Sequence, residues 1–330
     1  MINIEKLAAQ KGGLIDREID AVFRGNIPNL QAAVRYHMGT GGKKLRPLLA
    51  IMTYEALKKK SDSTDKIMSF AASCELLHNW FLVHDDIEDG DSVRRDKPSV
   101  WVKYGLAHGI NVGDYMAQKV FELILRSKKY GVDDKTVLKL VEAMSIAAVK
   151  TSEGQAMDIN MRNSMPNEKD YMDMVIGKTG HYLTVTMIGA AIVAGRDELI
   201  PRLVEFGSCI GPAFQITDDV LDLTEGKGRG ELGRDIKEGK KSIMIIHCLA
   251  ECKADEKKKI LDVLNRQPSS TSDKDVAFVI GLLGKYGSVE YAKNKAEKLK
   301  QQANQVISKL PPELHEILEF FADYLVNRKK

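Results

Sequence analysis

Apolar residues recur along this chain at three- and four-residue spacings, and strand-like alternation is scarce, so the pattern predicts helix almost throughout. Residues 4–24 read as an amphipathic opening helix that stops near Gly25 and Pro28, followed by a short helix over 29–38. Pro47 suits the first turn of a third helix. After a polar break at 61–65, Thr64 is placed to cap a long apolar helix. Further helices are expected over 98–126 and 133–160, and Asn167-Glu-Lys-Asp170 reads as the cap of another. Beyond Ser242 the pattern predicts helices with charged faces over 242–253, 255–265, 273–286, 288–308 and 312–327. Pro268 to Asp273 is the most linker-like segment, and no repeat of solenoid period is visible.

The pattern is most unusual where the long helix after Thr64 ends. His78-Asn-Trp-Phe-Leu-Val-His opens apolar, and the next seven residues, Asp85 to Asp91, hold five acids. On a helix Asp85 and Asp89 share a face, and Phe81 and His78 continue that stripe. Gly90 is a helix stop, so the acids crowd the C-terminal end, where the helix dipole disfavours negative charge. A second Asp-Asp-x-x-Asp follows in Phe214-Gln-Ile-Thr-Asp-Asp-Val-Leu-Asp, with Asp218 and Asp222 at i and i+4 and Gln215 three before Asp218. A solvated helix end explains either motif alone. Two of them, each on an otherwise hydrophobic face, are better explained by a bound cation. All-carboxylate ligands favour magnesium, which takes one or two carboxylates together with phosphate oxygens and water.

Basic residues accompany the acids. Gly39-Thr-Gly-Gly-Lys43-Lys44-Leu-Arg46-Pro47 sets cations beside a glycine loop at a helix start, which is either an anion site or a plain helix-entry loop. Arg94 and Arg95 follow the first acidic motif and read as cations standing across the metal cluster from it, on the same anion. Glu153-Gly-Gln155-Ala-Met-Asp158 places polar groups inside an apolar run, suggesting that they face a cavity. Lys178 and Thr179, within Gly177-Lys-Thr-Gly180, interrupt a helical pair. That tetrapeptide is not the end of a P-loop, because the upstream glycine and the preceding strand are missing. Gly226-Lys-Gly-Arg-Gly230 reads as a mobile loop, and Gly233 to Ser242, with Asp235, Lys240 and Lys241, leads into the next helix.

Composition narrows the class. The chain has 330 residues, 44% hydrophobic and 29% charged, with a net charge of +3. This is globular composition, too weakly basic to argue for nucleic acid. The longest apolar stretch, Leu183 to Gly195, is short of the roughly 20 residues a membrane span needs. Cys74, Cys209, Cys248 and Cys252 lack metal-ligand spacing and the N-terminus is no signal peptide, so a cytoplasmic protein with reduced thiols is expected. A single domain over 1–330 is expected, because the two acidic motifs make sense facing one cavity.

Two Asp-Asp-x-x-Asp motifs, a Gly-Gly-Lys-x-x-Arg loop before the first, Arg-Arg after it and Lys-Thr between them resemble the trans-isoprenyl diphosphate synthases of the farnesyl/geranylgeranyl type, in order from Gly41 to Ser242. The resemblance implies an all-α fold, with antiparallel helices around a central cavity, and a homodimer. It implies three magnesium ions, with Asp85 and Asp89 holding two and Asp218 the third, supported by Asp86 and Asp222. It implies that Arg94, Lys178 and Lys240 hold an allylic diphosphate (dimethylallyl, geranyl or farnesyl), and that Lys43, Arg46, His78 and Arg95 hold isopentenyl diphosphate. Thr179 and Gln215, with Lys178, would face the developing carbocation. Trp80 and Phe81, five and four residues before Asp85, would form the floor that sets product length, favouring fifteen carbons over twenty. Where the family carries a lysine before Gly233, Arg229 is the nearest base, and Arg328-Lys-Lys resembles a C-terminal segment that closes over isopentenyl diphosphate in some farnesyl-type members. The rival readings are a class I terpene cyclase, which pairs its acidic motif with a different second site, and a regulatory subunit, which should have lost acidic ligands. This chain keeps both motifs.

Overall fold

The computed structural model describes residues 2–224 and 232–327. The loop at Gly226–Gly230, Arg229 and the basic tail Arg328–Lys330 lie outside the described residues. The helices in chain order are α1 (Ile4–Asp20), α2 (Gln31–Met38), α3 (Leu45–Leu57), α4 (Asp65–Glu88), α5 (Val100–Tyr104), α6 (Leu106–Arg126), α7 (Asp134–Met161), α8 (Glu168–Val175), α9 (His181–Ala194), α10 (Ile200–Thr224), α11 (Arg234–Lys237), α12 (Ile243–Glu251), α13 (Ala254–Leu264), α14 (Asp273–Lys285), α15 (Ser288–Ile307) and α16 (His315–Val326). The one sheet among the described residues is a two-stranded hairpin, β1 (Val93–Arg94) with β2 (Lys97–Pro98), antiparallel. The expected all-α class holds.

Contacts group the chain into two compact units. The first comprises Met1–Ala148, Tyr182–Val204 and Ser308–Phe320. Its centre is α4, which packs on α1, α3 and α6. From Ile67 to Leu77 every residue of α4 is buried, as expected of a helix without a polar face. Tyr54 and Phe23 beside it, and its own Phe70, are fully enclosed. Each contributes about 1.5–3 kcal/mol on burial, so α4 is held rigidly up to the point where its acids begin. Its end is a Schellman turn: Gly90, at φ 69°, donates to the Ile87 carbonyl and Asp91 donates to that of Asp86.

The second unit comprises Val149–His181, Glu205–Ile307 and Phe321–Lys330. Here α12 packs on α8, α14 and α15. Residues Ile176–Gly180 form a π-helical turn between α8 and α9, a form concentrated at functional sites. Its neighbours are glycines. A Cβ at Gly154 of α7 would lie 2.1 Å from the Lys178 backbone nitrogen, and one at Gly211 of α10 would lie 2.6 Å from the Gly180 Cα. The π turn is therefore seated directly on two helix backbones. Lys241 is buried and donates to the Met161 carbonyl at 3.2 Å and to that of Arg162, closing the C-terminus of α7.

Several local expectations need correction. The opening helix stops at Asp20, not 24, and the helix expected over 98–126 is divided at Gly105, whose φ of 93° lies in the left-handed region. Thr64 stands at the N-cap of α4 but donates its hydroxyl to Glu55 instead of capping the helix. Asn167 does cap α8, in a reciprocal box with Asp170. The short hairpin at 93–98 has too few residues for alternation to announce it.

Glycine packing yields a stability test. Gly154→Ala should destabilise the protein by roughly 1–3 kcal/mol through overpacking. Gly284→Ala, on α14 with nothing within 4 Å of an added Cβ, should stabilise it by about 0.5–1 kcal/mol. Urea unfolding of the two variants should shift in opposite directions, and a neutral Gly154→Ala would count against the close seating of the π turn.

Candidate active site

Where α4 ends, in the first unit, the acids divide by burial. Asp86 is 1% exposed, while Asp85 and Asp89 are half-buried and Glu88 is exposed. Arg94 meets Asp86 from β1: Nε donates to Asp86 Oδ1 at 2.7 Å, Nη2 donates to the same oxygen, and Nη2 also reaches Asp91 Oδ2 at 3.2 Å. Burial, chiefly, pushes Asp86 up to about 6, with Asp91 and Asp85 adding and Arg94 opposing. Asp86 Oδ2 is buried without a hydrogen-bond partner. This donor set fits a hard divalent cation. Carboxylate oxygens suit magnesium, which completes its shell with phosphate oxygens and water.

The hairpin separates the adjacent arginines. Arg95 and Asp96 occupy its two-residue turn with φ of 53° and 61°, the left-handed conformation a primed turn requires. Arg94 therefore points to the acids, while Arg95 turns to the glycine loop, donating to the Gly41 carbonyl and to Thr40 Oγ1 at 3.2 Å. Gly42 permits this approach, because its φ is 151° and an added Cβ would sit 3.1 Å from Arg95 Nη2. Lys43 is exposed on the same loop, and Lys44 pairs with Asp16 at 2.6 Å.

Arg46 is buried and lies over the ring of Tyr182, 4.3 Å from its centre, with Nη2 donating to the Tyr182 hydroxyl at 2.6 Å. Its Nε has no partner, which leaves a desolvated, aimed donor ready for an anion. His78 stacks parallel to the Tyr182 ring, with centres 5.8 Å apart. Burial, then Arg46 and Arg95, hold His78 well below the usual histidine range, so it is a neutral hydrogen-bonding group. Beneath it, Asn79 donates to the Glu75 carbonyl at 2.9 Å and to Glu75 Oε1 at 3.2 Å, which leaves its oxygen 3.1 Å from His37 Nε2. That orientation makes His37 the donor. Phe81 and Trp80 stack on one another at 4.6 Å, and both pack against the core.

The second unit gathers Lys178, Thr179, Gln215, Asp218, Asp222 and Lys240. Lys178 pairs with buried Asp158 at 2.7 Å. Thr179 Oγ1 donates to Gln215 Oε1 at 3.0 Å, and Gln215 Nε2 donates to Asp219 Oδ1 at 2.9 Å. Asp222 accepts from the Asp235 amide at 3.1 Å and so ties the second motif to α11. Lys240 pairs with Glu238 at 2.6 Å and lies 3.7 Å from Asp235. Sequence reasoning missed Tyr182, Tyr171, Asp219 and Asn79 as parts of the site. Tyr182 had a signal, standing four residues after Lys178. Asp219, the middle acid of the second motif, was in plain view but had no partner assigned to it.

Comparison with known proteins gives consistent results. Residues 27–280 match the polyprenyl synthetase family profile. A short-chain isoprenyl diphosphate synthase of Methanocaldococcus jannaschii is 37% identical over 91% of this chain and 89% of that protein. A geranylgeranyl diphosphate synthase of Sulfolobus acidocaldarius is 36% identical over 94% of each. The crystal structure of a geranylgeranyl pyrophosphate synthetase from Pyrococcus horikoshii superposes with a TM-score of 0.87 at 32% identity, covering 98% of this chain and 99% of that one.

The buried imidazole of His37 makes stability depend on pH. Burial, chiefly, and then Arg95 and Arg94 lower its pKa to about 3, against an ordinary 6.5. The unfolded chain therefore takes the proton first, so this contribution is complete above about pH 6.5 and is lost as pH falls towards 3. Urea midpoints should fall between pH 7 and 5, and His37→Gln should flatten that slope. An unchanged slope in a folded His37→Gln protein would place the titration elsewhere.

Proposed function

Because this chain belongs to the polyprenyl synthetase family, and is thus a prenyltransferase of the short-chain isoprenyl diphosphate synthase kind, we propose that it condenses isopentenyl diphosphate with dimethylallyl, geranyl and farnesyl diphosphates to give farnesyl and geranylgeranyl diphosphates. One observation carries this reading: an acidic helix end, with one buried oxygen of Asp86 lacking a hydrogen-bond partner, and a set of arginines held for anions occur in the same unit. Asp85, Asp86 and Asp89 supply the first, and Arg46 and Arg95 the second.

In this proposal Lys43, Arg46, His78 and Arg95 bind isopentenyl diphosphate, and Arg94, Lys178 and Lys240 bind the allylic diphosphate. Arg46 brings its open Nε, with Tyr182 holding the rest of the guanidinium. Arg94 keeps Nε and Nη2 on the acids and offers Nη1. Asp85, Asp89 and Asp218, supported by Asp86 and Asp222, would hold the magnesium, three ions in this proposal. When bound, magnesium supplies Lewis-acid charge that stabilises departing pyrophosphate. The allylic carbon–oxygen bond breaks with its electron pair going to pyrophosphate. The isopentenyl double bond supplies the pair for the new carbon–carbon bond, and a proton leaves to a pyrophosphate oxygen. Lys178, Thr179 and Gln215 face the transient positive charge, and apolar side chains exclude the water that would quench it.

The stacked Trp80 and Phe81 form the product floor. In this proposal the enzyme works as a homodimer. Among the described residues no helix is long and apolar enough to cross a membrane. As part of this proposal the enzyme works in the cytoplasm, with the two diphosphates as its partners.

Purified protein with magnesium should join isopentenyl diphosphate to dimethylallyl and geranyl diphosphates, with farnesyl diphosphate as the main product. No condensation with either of them would end this reading. Asp85→Ala should lose turnover by at least a hundredfold, on the order of an electrostatic group at a reacting diphosphate, with unchanged helical circular dichroism. Phe81→Ala should lengthen the product by one or more five-carbon units. An unchanged product length would move the floor elsewhere.

A further inference from the structure

In the second unit four side chains from three elements form one directional chain. Tyr171 of α8 is 1% exposed, and its hydroxyl donates to Asp219 Oδ2 at 2.8 Å. The other oxygen of Asp219, also buried, accepts from Gln215 Nε2 at 2.9 Å. Gln215 Oε1 in turn accepts from Thr179 Oγ1 at 3.0 Å, and Thr179 sits on the π turn.

The direction of this chain follows from valence. A carboxylate only accepts, so Asp219 turns the NH₂ end of the Gln215 amide towards itself. The amide oxygen then faces Thr179 and claims the one hydroxyl proton that Thr179 has. What Thr179 has left is lone pairs. A hydroxyl that must donate to its neighbour can only accept from, or solvate, a positive charge. Without the anchor, the amide could turn over, donate to Thr179 and free the hydroxyl proton to point at the reacting carbon. That orientation would present a positive hydrogen to a developing cation.

We propose that Tyr171, acting through Asp219, is a positioning residue that sets the Gln215 amide and thereby keeps the Thr179 oxygen as an acceptor facing the allylic cation. The inference rests on the prenyltransferase reading given above. Tyr171 holds Asp219 from the side opposite Gln215, so that the carboxylate cannot rotate away. Its phenol stays protonated because burial, Asp219 and Asp158 all push its pKa well up. Tyr171 touches no substrate in this scheme and should leave substrate binding alone.

The test uses the full chain with magnesium. Wild type, Tyr171→Phe, Thr179→Val and the double variant are compared for kcat and for KM of both diphosphates. Affinity is measured for pyrophosphate alone and for an ammonium analogue of the allylic cation bound with pyrophosphate. Tyr171→Phe should lower kcat about tenfold, the scale of one buried hydrogen bond, with both KM values within twofold. It should bind the ammonium analogue about tenfold more weakly and pyrophosphate normally. The double variant should be no slower than Thr179→Val, because both changes act through the same oxygen. Wild-type kcat in Tyr171→Phe overturns the proposal, as does a loss that multiplies with that of Thr179→Val. If Tyr171→Phe does not fold, Asp219→Asn combined with Thr179→Val carries the same non-additivity test. A wild type inactive with every allylic diphosphate would instead defeat the prenyltransferase reading.

Discussion

The site depends on a carboxylate held where physics disfavours it. Asp86 is buried, it stands at the negative end of the α4 dipole, and acids lie on both sides of it. Arg94 makes this tolerable but not comfortable: the guanidinium clamps one oxygen and leaves the other without a partner. A buried ion pair contributes little net stability, and losing one partner is expensive. The arrangement therefore makes sense as stored electrostatic demand, which a divalent cation can satisfy. It also dictates local structure. The hairpin exists in the space where Arg94 must reach back to α4, and its left-handed turn then sends Arg95 the other way, to the glycine loop.

A second constraint is steric. The π turn at Ile176–Gly180 presents Lys178 and Thr179, and it can lie on α7 and α10 only because Gly154 and Gly211 have no side chains. Once seated, its side chains find fixed partners, Lys178 with Asp158 and Thr179 with Gln215. Tight packing on one side and hydrogen-bond direction on the other give the preorganisation that electrostatic catalysis needs.

Electrostatics and packing also share labour around α4. Its apolar length locks its axis, so the acids and His78 stand on a stem that cannot move. Arg46 is steered by an aromatic face and a hydroxyl, both from Tyr182. Stacking and a single hydrogen bond hold a desolvated cation without neutralising it, which a carboxylate partner could not do.

Much of this was legible in the chain. Helix periodicity is local, and it gave the all-α class and most element positions. The two Asp-Asp-x-x-Asp motifs, the Gly-Gly-Lys-x-x-Arg loop and the Arg-Arg pair carried the chemistry, because residue type and spacing fix which groups share a helix face. The split at Gly105 and the hydroxyl of Thr64 were misjudged: the first is a backbone turn that helix periodicity does not register, and the second bonds Glu55, on a different helix. By itself the sequence determined which charges and donors exist, and in what order along helices. Only the tertiary structure decided their partners: Arg94 with Asp86 and not its neighbour Arg95, the Gln215 amide on Asp219 and not Asp218, Tyr182 over Arg46. Spacing along a helix specifies a face, but a hydrogen bond is set by distance and angle between elements, and those arise only when the helices pack.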